Sequence, residues 1–381
     1  MTKLQSRVLT GVFLVMIFGC TGASLLKRDT SFSEKENRIL AQMPELNLKD
    51  ILSGTFEKNY ETYLSDQFFW RDGWIGVKTK AERAEGKTEI NDVYFAKDGY
   101  LIEKHSGSFD TDTAKNNITY LGNFLKSQEQ KVGAGHVKAM IVPNAVEILK
   151  DKLPSYAVAD EEGAYLNHIR APIPEEVLFD AEPILDAHKE EQIYYKTDHH
   201  WKTLAARYVY EAWTESIDLP IVPLSEYREE TLTTDFHGTI DAKVNINVPG
   251  DSIESYQPVT EIPYTLTYNH SEERTSLYDT SYLEGRDKYA VFFGGNQPLI
   301  EAKTEAKTDR SLLIIKDSYA NCFLSFAMQD FSQIDIVDLR YFNENLGDYM
   351  KDKDYTDICV LYNAAGFAED SSVAKLALAT D

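Results

Sequence analysis

Three side chains of this sequence could act together as a nucleophile, a base and an orienting acid. Ser318 directly follows an apolar segment, residues 312–315, and precedes a segment with helical character, residues 320–329. A serine at such a strand-to-helix turn exposes its hydroxyl, and its backbone N–H lies near a helix N-terminus, where an oxyanion can be stabilised. The alternative is that Ser318, or Asp317, is only the N-cap of that helix.

Asp198 and His200 supply the two groups that a serine nucleophile requires. A serine needs a general base, and a histidine base needs a carboxylate that fixes its tautomer. Both residues lie on one short loop after the apolar residues 193–195. His199 is an alternative base, but beside Asp198 in an extended segment it would point elsewhere. The remaining alternative is a capping Asp and a packed His.

The same Asp-His-His segment contains side chains that bind metals. A metal site would need further ligands, and the sequence has no distant cluster of His or Cys that could complete one. The three cysteines include no CxxC pair, so neither a zinc knuckle nor a thioredoxin-type redox site is supported. We therefore predict no metal and no cofactor.

The elements that must position these residues alternate between strand and helix after residue 113. Predicted strands cover residues 137–143, 193–195, 312–315, 334–339 and 358–362, and predicted helices cover 115–130, 175–189, 203–217 and 320–329. Short apolar runs separated by helices indicate a mostly parallel sheet with helices on both faces. Functional residues of such sheets collect at the carboxyl ends of the strands.

The N-terminus has the pattern of an export signal. Lys3 and Arg7 precede residues 8–26, which contain no charged side chain. The segment could be cleaved near Ala23, kept as a membrane anchor, or lipidated at Cys20 in a lipobox-like context. Each of these fates places the rest of the chain outside the cytoplasm.

The chain divides into three predicted parts. Residues 1–28 are the signal peptide or anchor, residues 29–112 a preface that packs on the main domain, and residues 113–381 the main domain. The preface contains a predicted helix at 56–69 and a hairpin at 93–102. Polar, Thr- and Tyr-rich residues at about 220–309 predict a β-rich insertion in the main domain.

Charge and composition restrict the partners of the protein. The 381 residues include 39 Lys and Arg against 62 Asp and Glu, which gives a net charge of −23. This balance argues against nucleic acid and against a broad basic patch for anionic lipids. We therefore predict membrane contact only through the N-terminal segment. A hydrophobic fraction of 43% supports a large core and excludes global disorder.

Residues 197–201, Thr-Asp-His-His-Trp, resemble the signature of the bacterial DHHW family. They are also similar to the Asp-x-His-Trp segment of the alginate O-acetyltransferase group, exported proteins with an SGNH-hydrolase-like domain. Weaker supporting segments occur in the expected order at residues 36–40 with Pro44, 66–71, 93–94, 294–296 and 316–319. The resemblance implies an SGNH-hydrolase-like α/β fold that is circularly permuted, because Asp198 precedes Ser318 whereas ordinary SGNH hydrolases carry the serine first.

The resemblance also implies roles for individual residues. Ser318, His200 and Asp198 would be catalytic, and Asn363 and Asn296 compete to complete the oxyanion hole. The further oxyanion or substrate candidates are Gly295, Lys316, Tyr319 and Trp201, of which Trp201 could instead pack beneath the histidine. Lys196 and Lys316 flank the two halves of the site and would carry local positive charge. Residues 235–239 could line the cleft or form a loop turn.

The function that the resemblance implies is acetyl transfer to, or removal from, hydroxyls of an extracellular or cell-wall polysaccharide. A membrane-bound O-acyltransferase could supply the acetyl group. The alternative is a non-catalytic polysaccharide-binding or assembly module on the same scaffold. Lys316 motivates this alternative, because it replaces the glycine expected before Asp-Ser.

Overall fold

The computed structural model describes residues 2–380 apart from residues 34, 37, 134 and 159. Asn37, within the resembling segment 36–40, therefore lies outside the described residues. The chain forms two compact units. The first comprises Met1–Ile90 with Asp241–Asn247, and the second comprises Asn91–Ile240 with Val248–Asp381.

The first unit is mostly helical. Its elements are α1 (Lys3–Leu26), β1 (Phe32–Ser33), β2 (Arg38–Ile39), α2 (Leu48–Ser53), α3 (Thr55–Gln67), α4 (Arg71–Ala84) and β3 (Glu89–Ile90). Helix α3 confirms the helix predicted at residues 56–69. Within the described residues, α1 is the one helix long and apolar enough to cross a membrane, a test that a signal sequence also passes.

The second unit contains eleven strands among its described residues. They are β4 (Val93–Phe95), β5 (Leu101–Glu103), β6 (Val137–Val142), β7 (Tyr227–Phe236), β8 (Asp251–Pro258), β9 (Tyr264–Tyr268), β10 (Glu272–Arg274), β11 (Leu299–Thr304), β12 (Ser311–Lys316), β13 (Gln333–Val337) and β14 (Asp357–Asn363). Strands β4 and β5 pair antiparallel and confirm the hairpin predicted at residues 93–102.

The helices of this unit occupy the segments between the strands. They are α5 (Asp112–Val132), α6 (Ala145–Ile148), α7 (Asp160–Arg170), α8 (Glu182–Ala187), α9 (Thr203–Glu215), α11 (Ala320–Ala327), α12 (Leu346–Met350) and α13 (Ala364–Glu369). Helix α10 (Thr239–Val244) crosses the boundary between the two units.

A seven-stranded mixed sheet forms the centre of the second unit, in the order β10-β9-β11-β13-β12-β14-β6. The four strands from β13 to β6 are mutually parallel, whereas β11, β9 and β10 add antiparallel to the side of β13. The expectation of a mostly parallel sheet is therefore corrected. The predicted insertion at 220–309 supplies these three strands. Strand β11 pairs with the edge of β13 and so satisfies backbone groups that β13 would otherwise leave unpaired. The circular permutation stays a prediction.

Side chains of the central strands alternate between two cores, one on each face of the sheet. Leu312 and Ile314 of β12 enter the core covered by α9 and α11. Leu313 and Ile315 enter the core covered by α5 and α13. This alternation follows from the period of two in a strand, and it confirms the prediction of helices on both faces.

Two predicted elements are shorter in the structure than expected. The predicted helix at 175–189 is helical only over Glu182–Ala187. Residues before it pair with β6 instead, since Ala139 donates its backbone N–H to Val177 and accepts one from Phe179. The strand predicted at 193–195 is a single bridge between Tyr194 and Trp201, which closes the loop that carries Asp198 and His200.

Candidate active site

Ser318 lies on a turn, residues 317–319, that joins the end of β12 to α11; we name it the serine turn. The neighbouring carboxylate of Asp317 holds this turn, because its Oδ1 accepts the backbone N–H of Tyr319 at 2.9 Å. Its Oδ2 accepts the backbone N–H and the side-chain Nδ2 of Asn363, at 2.8 and 2.6 Å. Burial raises the pKa of Asp317 to about 6. Asn363 is the last residue of β14, the strand beside β12. The end of β14 therefore positions the serine turn, which follows β12.

The histidine loop, residues 196–201, is held by a buried carboxylate at the start of β8. Asp251 accepts the backbone N–H groups of Lys196 and Thr197 and the hydroxyl of Thr197, at 2.7–3.0 Å. These bonds satisfy donors that would otherwise be buried without partners. The start of the loop is therefore held by Asp251, a residue distant in the sequence.

Ser318, His200 and Asp198 form one chain of hydrogen bonds. Nε2 of His200 lies 2.8 Å from Oγ of Ser318, and Nδ1 of His200 lies 2.5 Å from Oδ1 of Asp198. The Asp198 carboxylate accepts a hydrogen bond from Nδ1–H of His200, so Nε2 is the nitrogen left free to accept a proton from Ser318. This is the geometry of a serine nucleophile with a positioned general base.

Asp198 is itself oriented by residues 238 and 239. The backbone N–H of Thr239 donates to Oδ2 of Asp198 at 2.9 Å, and the Thr239 hydroxyl lies 3.3 Å from the same oxygen. A Cβ at Gly238 would lie 2.2 Å from Cβ of Asp198, so only glycine allows this approach. Residues 235–239 thus support the carboxylate, a role that the sequence alone did not predict for them.

Two neighbouring aromatic rings and two neighbouring charged groups influence the protonation state of His200. Its imidazole stacks on Tyr289 at 3.8 Å and lies 3.9 Å from the ring of His199. Burial, together with the charge of His199, lowers the pKa of His200 to about 4 despite the opposing effect of Asp198. Burial alone would raise the pKa of Asp198, but the two histidine charges and the hydrogen bonds to its carboxylate hold that pKa well below the usual range. The resting pair is therefore a neutral imidazole beside a carboxylate.

One donor for an oxyanion is free at this site. Among the described residues, the backbone N–H of Ser318 donates to no other protein group. The N–H of Tyr319 is bound by Asp317, and the N–H of Gly295 donates to the oxygen of Phe292 at 3.2 Å. Asn363 already uses one amide hydrogen on Asp317. Two predicted oxyanion candidates, Tyr319 and Gly295, therefore have their backbone donors engaged.

Asn296 is the competing asparagine, and it lies in the loop that follows Tyr289. The backbone of residues 293–295 has positive φ throughout, at 59°, 67° and 85°. The Oδ1 atom of Asn296 is buried and has no partner among the described residues. An amide oxygen cannot donate a hydrogen bond to an oxyanion, so the unpartnered Oδ1 atom does not support a role for Asn296 in the oxyanion hole.

Two predicted substrate candidates point away from the cleft. Trp201 is fully buried and donates its indole N–H to the backbone oxygen of Tyr319 at 2.9 Å, so it packs beneath the site. Lys316 is also buried, and its Nζ donates to Oδ1 of Asn321 at 2.7 Å and lies 3.7 Å from Asp338. The expectation that Lys316 carries positive charge into the cleft is corrected. Lys196 is engaged as well, since its Nζ donates to the backbone oxygen of Asp98.

Arg340 is the cation that the sequence reasoning missed. It follows β13, the strand beside β12, and the buried carboxylate of Asp338 accepts its Nε and Nη2 at 2.8 and 2.6 Å. Its charge helps lower the pKa of His200 and opposes the effect of burial that raises the pKa of Asp317, which places it near the serine turn. The rule that strand ends carry function could have identified it, since it lies just after the predicted strand 334–339.

Asp198, His199 and His200 also bring three metal-ligating atoms within 4.8 Å of one another. Both ring nitrogens of His200 and both oxygens of Asp198 already have protein partners in the hydrogen-bonded chain. His199 is likewise engaged, because its Nδ1 lies 2.9 Å from the Thr239 hydroxyl. A metal bound at His200 would therefore replace a hydrogen bond to Ser318 or Asp198, whereas the serine arrangement uses both ring nitrogens of His200 as they stand.

Comparison with known proteins identifies the family of this chain. A family model described as DHHW protein matches residues 128–337, more than half of the chain. No curated protein matches this chain. A solved DHHW family protein from Eubacterium siraeum is 27% identical with a TM-score of 0.60, and the match covers 75% of this chain and 95% of that one.

Two further solved structures match this chain at lower identity. Bacillus cereus PatB1, solved with a sulfonyl adduct, is 20% identical with a TM-score of 0.60, and the match covers 74% of this chain and 99% of that one. The O-acetyltransferase domain of Pseudomonas putida AlgJ is 12% identical with a TM-score of 0.44, and the match covers 73% and 92%.

Proposed function

This chain belongs to the DHHW family, and we propose that it is an exported protein that acts in O-acetylation of an extracellular or cell-wall polysaccharide. In this proposal Ser318 carries the acetyl group, His200 moves the proton and Asp198 orients His200. The observation that carries the proposal is the pair of hydrogen bonds, 2.8 and 2.5 Å long, that links the three side chains. Helix α1 is compatible with export as a signal or an anchor.

The first half of the proposed reaction loads the serine. Oγ of Ser318 attacks the carbonyl carbon of an acetyl ester while its proton passes to Nε2 of His200. The backbone N–H of Ser318 donates a hydrogen bond to the tetrahedral oxyanion. As it collapses, the bond to the leaving alcohol breaks and His200 returns the proton to that alcohol, which leaves acetyl-Ser318. The lowered pKa of His200 keeps the base neutral before the reaction begins.

The second half transfers the acetyl group. His200 takes the proton of an incoming hydroxyl as the oxygen of that hydroxyl attacks the carbonyl carbon of acetyl-Ser318. The bond between this carbon and Oγ then breaks, and His200 returns the proton to Oγ, which restores the serine. Water as the acceptor gives acetate and makes the protein an esterase, whereas a sugar hydroxyl makes it a transferase. A membrane-bound O-acyltransferase partner would supply the acetyl group in the second case. The resemblance of residues 198–201 to the alginate O-acetyltransferase group supports polysaccharide as the acceptor.

Purified protein should release acetate from a chromogenic acetyl ester. The variant Ser318→Ala should lose this activity, whereas Ser325→Ala should keep it. Ser325 is a matched control because it is a buried serine of α11, the helix that follows the serine turn, and its hydroxyl donates to the backbone oxygen of Cys322. A sulfonyl fluoride, a probe suggested by the sulfonyl adduct of PatB1, should modify Ser318 in a mass spectrum. Full activity of Ser318→Ala would show that the proposal is wrong.

A non-catalytic polysaccharide-binding module is the second candidate. It is favoured by the engagement of the Asn363 amide with Asp317, which leaves the Ser318 N–H as the main donor to an oxyanion. For a module, glycan binding would survive Ser318→Ala and the sulfonyl reagent would leave Ser318 unmodified. For an enzyme, the reagent modifies Ser318, and prior modification prevents acetate release.

A further inference from the structure

The first unit exposes large apolar side chains where α1 ends. Leu25 and Leu26, the last residues of α1, have exposed fractions of 81% and 88%. Phe69 and Trp70, in the segment between α3 and α4, have exposed fractions of 44% and 60%. Large apolar side chains that are exposed next to one another indicate contact with a partner or a membrane.

A hydrogen bond fixes the position of the aromatic segment, residues 68–70, along the axis of α1. The backbone N–H of Phe69 donates to Oγ of Ser24 at 2.9 Å. Ser24 lies two residues before the last residue of α1. The aromatic segment is therefore beside the C-terminal turn of α1 and not beside its middle.

The segment is held in a costly backbone conformation. Trp70 has a φ of 54°, in the left-handed region that is rare for bulky residues. Its ring lies over Gly73, where a Cβ would come within 2.1 Å of the indole. The ring also packs edge to face with that of Trp74, with 5.8 Å between the ring centroids. Strain of this kind persists when the surrounding structure enforces it, and it is concentrated at functional positions.

The length of α1 decides which partner fits this surface. Its 24 residues rise about 36 Å at 1.5 Å per residue, against about 30 Å for the hydrocarbon core of a bilayer. A spanning α1 would bring Ser24 to the boundary between acyl chains and headgroups, followed by the charged Lys27 and Arg28. Tryptophan and other aromatic rings concentrate at that boundary.

We propose that α1 is retained in the membrane and that the aromatic segment inserts into the adjoining leaflet beside it. The bilayer then covers Leu25, Leu26, Phe69 and Trp70 together, and the membrane contact extends beyond the N-terminal segment itself. Two attachments, one spanning and one interfacial, would restrict the tilt of the first unit on the membrane. The proposal is independent of the reaction at Ser318.

Tryptophan fluorescence of the full-length protein in bilayers tests this proposal. Of the four tryptophans, Trp201 and Trp213 are buried in the second unit. The variant Trp74→Phe therefore leaves Trp70 as the exposed reporter. Phosphatidylcholine brominated near the headgroup should quench the emission of this variant. Adding Trp70→Phe should remove most of that quenching, while the residual emission of Trp201 and Trp213 shows that the protein remains folded.

A second measurement uses the same pair of variants in bilayers. Aqueous iodide should quench Trp74→Phe no more than the variant that also carries Trp70→Phe, because lipid covers Trp70. Equal lipid quenching with and without Trp70 would overturn the proposal, as would strong iodide quenching of Trp74→Phe that Trp70→Phe removes. Native protein isolated with its N-terminus at Cys20 or later would also overturn it, since most of α1 would then be absent.

Discussion

The indole N–H of Trp201 donates a hydrogen bond to the backbone oxygen of Tyr319 at 2.9 Å. In return, the hydroxyl of Tyr319 donates to the backbone oxygen of His199 at 2.5 Å. The residue after His200 is thus tied to the residue after Ser318, and the two loops that carry the proposed triad are joined by a reciprocal pair of bonds. The distance between Ser318 and His200 depends on this connection.

Replacing Trp201 by phenylalanine should weaken both stability and activity. The variant Trp201→Phe removes the hydrogen bond from the indole to the buried oxygen of Tyr319, and the loss of one such bond costs about 0.5–1.5 kcal/mol of unfolding free energy. We expect kcat to fall more than KM rises, because the loss affects the alignment of His200. Urea denaturation and ester kinetics measure the two effects. Trp213→Phe is the control, since the buried indole N–H of Trp213 has no partner among the described residues; an equal fall in kcat there would contradict the argument.

Gly238→Ala should impair activity through Asp198. The added Cβ would overlap the Asp198 side chain and displace the carboxylate that orients His200. A misplacement of about 1 Å in a catalytic group can cost about 100-fold in rate, and we expect a loss of that order. Gly285→Ala is the matched control, because the nearest atom to its Cβ lies 3.5 Å away. Ester hydrolysis measures both, and unchanged activity of Gly238→Ala would show that Asp198 is not positioned this way.

The acid limb of the activity profile should lie well below the ordinary histidine value. Only neutral His200 accepts the Ser318 proton, and its pKa is about 4 because of burial and the charge of His199. Activity should therefore persist as the pH falls below about 6.5 and disappear as it approaches the lowered pKa. His199→Gln removes a repulsive charge, so the acid limb of kcat/KM should move to higher pH. His188→Gln, at a half-exposed histidine paired with Glu191, should leave the limb unchanged.

Glu162 should make the protein less stable as the pH rises. Burial raises the pKa of this carboxyl to about 8 in the folded protein, although Asn144 donates its backbone N–H to it at 2.6 Å. The folded state therefore binds this proton more tightly than the unfolded state, and stability is lost between about pH 4.5 and about pH 8. Glu162→Gln keeps the acceptor and removes the titration, so its unfolding free energy should fall less over that range. Glu175→Gln, at an exposed position, is the control for charge alone.

Chelation should leave the activity intact. All four polar atoms of Asp198 and His200 side chains have partners within the protein, and the proposed reaction uses them in that arrangement. Acetate release should therefore be the same before and after dialysis against a chelator. Loss of activity that is restored by a divalent metal would instead assign the Asp198, His199 and His200 cluster to metal binding.

The local patterns of the sequence determined the elements and the residue types of the site. The continuous apolar run of residues 312–315 predicted β12 and its two buried faces, because successive side chains of a strand point to opposite faces of the sheet. The position of Ser318 after that strand, and of Asp198 and His200 on one loop, followed from the same local reasoning. The packing of Trp201 beneath the histidine was one of two predicted alternatives, and burial decided between them.

Only the tertiary structure decided how distant segments meet. Thr239 reaches Asp198, Asp251 holds the loop before it, and Asn363 holds Asp317, in each case across tens of residues. The antiparallel strands from the predicted insertion and the inward direction of Lys316 were also beyond sequence reasoning. A local pattern fixes which face of an element is apolar but not its register against a partner far along the chain. That register is set by the packing of the whole sheet, where burial and hydrogen bonding must be satisfied for all strands together.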